Sequence, residues 1–345
     1  MALIDPSSAM TAKARAKYGR RLTQKDYSAL IKSNSVTEVV LYLKSYTYYQ
    51  NFLQSVSNHD VHRGAVEQIL RQKLFENFMS LCRYNSSDSP VTKFIIRQRE
   101  AGEIVKFITL LSIGKPEDYL FSLPLYFIEH TDINLQKLTK ARNYDDFLDA
   151  LESTDYRRIL KDFSPNHLGR WDIAAIEDAL HLYSLRELYS FIEKIKNKSK
   201  KTALTELFDR LVDYSNFSRI IRLKKYYNMK NDLIRSHLYP YGSLTGKKLD
   251  RIFSKESFAD IRRELMETKI GKKIRNKNFE FEGEVASEGR FEICKHQLYF
   301  SSEPEVVLLS FYILSETELK NVINIIEGVR YSLSPSEISQ MLLIF

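Results

Sequence analysis

This sequence predicts an all-helical protein assembled from a threefold internal repeat, on three observations. Glycine and proline, which tight turns consume, number only 11 and 8 in 345 residues, too few for a strand-rich fold of this length. One capped, amphipathic pattern occurs three times. Its copies lie 108 and then 114 residues apart, close to a third of the chain, as stacked repeats require.

The copies are LIKSNSVTEVVLYLKSYTY from Leu30, LTKARNYDDFLDALESTDY from Leu138, and IFSKESFADIRRELMETKI from Ile252. Ser35, Asn143 and Ser257 occupy one place in the pattern, and each is a good helix N-cap. Three residues later stand Glu38, Asp146 and Asp260, acidic groups suited to a capping box and to the positive helix end. The apolar positions also match: Val36, Tyr144 and Phe258; Val39, Phe147 and Ile261; Leu43, Leu151 and Leu265. Steps of three and four residues place them on one helix face.

A long helix is expected after each capped helix, around 62–83, 171–196 and 281–300. The last contains Gly283 and Gly289 and alternates Phe279 with Phe281. That stretch admits a hairpin, but its place in the repeat favours a helix. A closing helix follows in each unit, read from FIIRQREAGEIVKFITLL, LVDYSNFSRIIRLKKYY and ETELKNVINIIEGVRY. The modules are therefore drawn at 1–115, 116–227 and 228–345. The only linker-like stretches, NSSDSP from Asn85 and KNKSKK from Lys196, are short polar connections.

Composition narrows the function without naming it. A hydrophobic share of 43% with 28% charged residues fits a globular chain rather than a disordered one. No apolar run reaches bilayer length, and the first residues lack a signal-peptide layout, so a cytoplasmic location is expected. Cys82 and Cys294 are far apart and without neighbouring ligands, which points to two free thiols rather than a metal site. The net charge of +8 admits nucleic acid, an acidic protein or a membrane surface as partner.

Motifs for chemistry are missing. RSHLYPYGSLTGKKLD, from Arg235, resembles a phosphate-binding loop, yet only three residues separate Gly242 from Gly246, and Lys248 stands where a magnesium-binding hydroxyl belongs. Its counterpart in the first unit is KYGRRLT, from Lys17, so it reads as the opening turn of a repeat. His59 and His62 form the one close histidine pair, with no further ligands nearby. Asp145 and Asp146 suit a helix start. Basic clusters at Arg15, Lys17, Arg20 and Arg21 and at Arg219, Arg222, Lys224 and Lys225, the latter followed by Tyr226 and Tyr227, allow three readings. In order they are a solvated face, a protein interface, and a groove for single-stranded nucleic acid.

The segment SNFSRIIRLKKYYNMKNDLIRSHLYPYGSLTGKKLDRIF, with ARAKYGRRLT before it, TDYRRIL ending the second capped helix and ETELKNVINIIEGVR late in the chain, resembles the central-stalk adaptor subunits of rotary A-type and V-type ATPases. The resemblance spans essentially the whole chain and rests on order, spacing and length. Members of that family often carry an acidic residue and Asn in each closing helix. Asp213 with Asn216 and Glu318 with Asn321 match this pattern, and the first unit offers Glu103 with Lys106.

The resemblance implies three helical modules around a pseudo-threefold axis, shaped like a funnel. It further implies a non-catalytic rotor adaptor, peripheral on the cytoplasmic face of the membrane, joining a ring of ion-carrying rotor subunits to the central axle and transmitting torque. No cofactor, metal, small-molecule ligand, nucleic acid or homo-oligomer is expected. Candidate partner-interface residues are Arg15, Arg20, Arg21, Arg222, Lys224, Arg235, Lys247 and Lys248. The alternatives are a helical-repeat scaffold for another assembly and, behind it, a basic nucleic-acid-binding protein.

Overall fold

The computed structural model describes residues 6–56, 63–84, 89–166, 169–274 and 282–343, and every regular element among them is a helix. The three capped helices begin where the repeat places them, at Val36–Tyr46, Tyr144–Ala150 and Phe258–Met266. Ser35, Asn143 and Ser257 each accept a hydrogen bond from the backbone N–H three residues on. Val39, Phe147 and Ile261 are completely buried, as are Leu43, Leu151 and Leu265. Val36, Tyr144 and Phe258 are half-buried. The helix face deduced from spacing is therefore the face that packs.

The chain forms two compact units, one of Met1–Arg63 with Lys196–Phe345, the other of Gly64–Ile195. In the second of these the first closing helix, Pro90–Ser112, packs along the helix Ile173–Glu193. Ser89 caps it, accepting from Thr92 N at 3.0 Å, and Pro90 occupies its first turn, where a missing N–H costs nothing. Phe107 from this helix stacks on Phe147 at 5.7 Å and meets Tyr119 edge-on at 5.5 Å. Aromatic contacts of this geometry add to plain burial, and they seat the second capped helix.

The other unit holds the second closing helix, Lys198–Tyr227, and the third, Pro304–Arg330. The third is buried nearly all round from Glu305 to Leu314, the mark of a central helix. Helices Pro6–Tyr18 and Glu282–Phe300 cover it. Residues 282–300 thus form the helix that the repeat favours over a hairpin, while Phe279 and Phe281 lie outside the described residues. Gly289 has a packing role: a Cβ there would enter the Tyr214 ring of the second closing helix. At the start of the closing helices, Lys200 Nζ meets the buried Glu305 carboxylate at 3.0 Å, and Ser199 Oγ donates to Glu303 at 3.0 Å.

Candidate functional site

Each closing helix carries a buried carboxylate that, among the described residues, forms no ion pair with lysine or arginine. Glu100, Asp213 and Glu318 are 3%, 3% and 7% exposed. Each is held by backbone N–H and hydroxyl donors, the backbone donors coming from an opening turn. Glu100 Oε1 accepts from Thr131 Oγ1 at 2.7 Å and Asp132 N at 3.1 Å, and its Oε2 accepts from the Tyr156 hydroxyl at 2.7 Å. Asp213 Oδ1 accepts from Ser243 N at 2.7 Å and Leu244 N at 3.0 Å, while Oδ2 accepts from Ser243 Oγ at 2.6 Å. Glu318 Oε2 accepts from Leu22 N at 2.8 Å, and Oε1 from the Tyr48 and Tyr49 hydroxyls at 2.7 and 2.9 Å.

Tyr48 and Tyr156 stand at the same place in the repeat, where the third copy has Ile270. An isoleucine donates nothing, and Asp213 takes its hydroxyl from Ser243 instead. Desolvation pushes all three carboxyls above their ordinary range, against hydrogen bonds that pull the other way. Burial beside Glu318 likewise raises the Tyr48 and Tyr49 phenols far above theirs, so at neutral pH both stay protonated donors.

The asparagines one turn further along do related work. Asn216 bonds both backbone groups of Tyr239, each at 2.9 Å. Asn321 bonds both of Leu343, at 2.8 and 3.0 Å. In the first unit the assignment of Glu103 with Lys106 needs correcting by one helical turn: Glu100 is the anchor, and Glu103 falls at the asparagine position. There Glu103 accepts from the Tyr119 hydroxyl at 2.9 Å. The bonds settle it, because Glu100, like Asp213 and Glu318, accepts from a backbone N–H of an opening turn, whereas Glu103 also pairs with Lys106 at 3.5 Å. Asparagine spacing alone concealed Glu100. An acidic residue three positions ahead of Glu103 was the signal available.

The loop that imitates a phosphate site turns out to hold an anion of its own. Gly242 adopts φ +87°, and a Cβ on it would collide with Asp213 Oδ1. The left-handed glycine lets the backbone fold around the Asp213 carboxylate. The opening turn of the first unit does the same with Leu22 N and Glu318. Leu22 and Leu244, which close the two turns, are both buried.

Within the opening turns the basic residues divide in a matched way. Arg21 folds back, its guanidinium 4.6 Å from the Tyr18 ring centroid, and Lys248 folds back to donate to Ser243 O at 3.1 Å. Arg20 and Lys247, one residue earlier, are exposed, and Lys248 stays exposed while making its bond, whereas Arg21 is half-buried. Of the other candidates, Arg222 is exposed and Arg235 pairs with Asp250 at 2.9 Å on the surface. Two candidates turn inward. Lys224 is 7% exposed and donates to Met229 O and Asn231 Oδ1, tying down the C-terminus of its helix at the left-handed Asn228. Arg15 donates to Leu298 O and Ser301 O, each at 2.8 Å, satisfying the last carbonyls of the helix Glu282–Phe300. His59 and His62 lie outside the described residues, among which no metal-capable cluster of three or more side chains occurs.

Charge separates the segments that these anchors hold. Residues 6–56 carry eight basic and two acidic side chains, and residues 228–274 carry eleven and six. Residues 116–170 reverse the balance, with seven basic and ten acidic. The second opening turn accordingly exposes Asp132 where the others expose Arg20 and Lys247.

The family described as ATP synthase (C/AC39) subunit matches residues 10–341. The C subunit of the A-type ATP synthase of Methanosphaera stadtmanae is 26% identical, covering 98% of this chain and 88% of its own. Its counterparts in Pyrococcus abyssi and Methanocaldococcus jannaschii are each 23% identical, covering 97% and 99% of this chain and 90% and 87% of theirs.

Proposed function

The chain belongs to the ATP synthase (C/AC39) subunit family, and from that premise we propose that it is the non-catalytic rotor adaptor of a V/A-type ATPase. In this reading it joins the central axle to the membrane ion-carrying ring and passes torque between them, for ATP-driven ion transport or ATP synthesis. Its partners are then the ring and axle subunits of one complex, and its place is the cytoplasmic face of the membrane. No helix among the described residues is long and apolar enough to cross a bilayer, so attachment would come through those partners.

The observation that carries the reading is the set of three anchored turns. An adaptor under load must keep its docking elements fixed relative to its helices. Each closing helix here grips an opening turn through a fully satisfied buried carboxylate, and such networks rigidify the parts they join. The division into modules 1–115, 116–227 and 228–345 belongs to the same proposal and is supported by the equivalence of Glu100, Asp213 and Glu318. Among the candidate interface residues, Arg20, Arg222, Arg235, Lys247 and Lys248 remain at the surface to meet a partner. Arg15, Arg21 and Lys224 would act through the turns and helix ends they brace.

The test is affinity purification of a tagged copy from native membranes in mild detergent, with mass spectrometry of the co-purifying chains. Ring and axle subunits in stoichiometric yield are expected. Recovery of the protein alone, or with nucleic acid, overturns the reading.

A further inference from the structure

We propose that Asp213 is a positioning residue for a docking turn, and that the turn presents Lys247 to an acidic face of a partner protein. The inference rests on the adaptor reading and deepens it. It starts from an unusual combination in residues 239–248. The turn is built around a left-handed glycine that fits only because it has no Cβ to meet the Asp213 carboxylate. Three donors from Ser243 and Leu244 converge on that carboxylate, and Asn216 fixes Tyr239 through both its backbone groups.

A surface loop that merely connects two helices has no need of so much buried polar structure. Such loops are ordinarily mobile and solvated. Here the backbone is held by two buried side chains of one helix, at Tyr239 and again at Ser243 and Leu244. What the fixed backbone displays is basic: Lys247 and Lys248 are both exposed, Lys248 while donating to Ser243 O. The opening turn of the first unit repeats the arrangement, with Glu318 beneath Leu22, Arg20 exposed and Arg21 folded onto Tyr18. The surroundings of both turns are strongly basic, eight basic residues to two acidic and eleven to six. A partner with a carboxylate-rich face complements them, and charge at such a rim governs encounter and register.

The second turn supplies the internal contrast. Glu100 anchors it as firmly, yet it exposes Asp132 within a segment of ten acidic and seven basic residues. Anchoring is thus a property of all three turns, and basic presentation a property of two. The acidic partner face is expected to engage the first and third turns and to leave the second.

The experiment measures the affinity of the full-length chain for the ATPase complex stripped of this protein, at low and near-physiological salt. Four variants are compared: Asp213→Ala, Asp213→Asn, the pair Lys247→Glu with Lys248→Glu, and the pair combined with Asp213→Ala. Circular dichroism melts run alongside. The lysine pair is expected to weaken binding about 10-fold, with a shallower salt dependence and an unchanged melt. Asp213→Ala is expected to weaken it by a similar factor. Asp213→Asn keeps an acceptor oxygen and retains most of the affinity, so the idea stays testable if the alanine variant fails to fold.

The decisive comparison is the combination. If Asp213 acts by positioning the lysines, removing it from the lysine-pair variant lowers affinity no further, although it lowers the melting temperature as before. Fully multiplying effects overturn the proposal and leave Asp213 a purely structural residue. Unchanged binding by the lysine pair overturns the docking turn. Salt-resistant binding of the wild type to phosphatidylglycerol vesicles, lost in the lysine pair, would assign the turn to lipid and overturn the protein partner. A wild type that ignores the stripped complex refutes the adaptor reading itself, which separates that failure from this one.

Discussion

The turn held by Glu100 and the turn held by Glu318 use the same device on opposite kinds of surface. Both carboxylates are buried, and both accept from one backbone N–H of an opening turn and from tyrosine beyond the end of a capped helix. Yet residues 116–170 are acidic on balance and residues 6–56 strongly basic. The difference shows which part of a repeat is constrained. Buried donors and acceptors must be matched one for one, so the anchor persists in each copy. Exposed charge contributes little to stability, so the rim is free to specialise for whatever it meets.

Four tests break or sharpen this comparison. The largest effect is expected in the core of the Glu100 unit, where Phe147 stacks on Phe107. Phe147→Ala should cost about 3–5 kcal/mol, and Ile261→Ala, at the equivalent place in the third copy, about 2–5 kcal/mol. Urea unfolding followed by circular dichroism measures both. An equal and small loss would mean that the capped helices are peripheral to their cores.

Next, Glu318→Ala strips the acceptor from Leu22 N and two tyrosine hydroxyls, and about 3 kcal/mol should be lost. Hydrogen exchange at Leu22 should accelerate with it. Protection that survives would show the turn to be held by something other than the carboxylate.

The two anchors should then part company at their tyrosines. Tyr156 is the tyrosine that serves Glu100 Oε2, whereas Tyr48 and Tyr49 share Glu318 Oε1. Tyr156→Phe is expected to cost about 1.5–3 kcal/mol, as for a bond to a charged group. Tyr48→Phe should cost less, because Tyr49 still serves the same oxygen. The reverse order in denaturant melts would contradict the geometry.

The smallest effect is one of pH. The Glu318 carboxyl lies above its ordinary value, so the folded state binds its proton more readily than the unfolded state does. Stability from this group is therefore complete below the unfolded value and falls as pH rises through the folded one. Melts at pH 5 and pH 7 should show the wild type gaining on Glu318→Gln at the lower pH. A gain at the higher pH would mean that the donors, and not desolvation, govern the group.

Much of this was legible in the sequence, for a physical reason. Caps and amphipathic faces are local, so Ser35, Asn143 and Ser257 announced three helices and the buried leucines followed. The carboxylates were half legible. Asp213 and Glu318 were marked by an asparagine three residues on, while Glu100 was hidden because Glu103 takes that position. The partners of the anchors were invisible, since Leu22 and Glu318 meet across 296 positions of chain and no local pattern encodes such a contact. The inward direction of Arg15 and Lys224 was hidden similarly: each is spent on carbonyls that become available only once the helix ends have folded.

That long-range clasp sets a schedule for biosynthesis. The first opening turn emerges from the ribosome 296 residues before the glutamate that will hold it, a delay of roughly 15–60 s at typical elongation rates. During that time Leu22, Tyr48 and Tyr49 have no Glu318 to receive their donors. The surplus of positive charge on residues 6–56 gives the waiting segment a means of staying dissolved. The last long helix to be made is thus the one that completes the first turn, and a chain truncated before Glu318 would leave its own beginning unfinished.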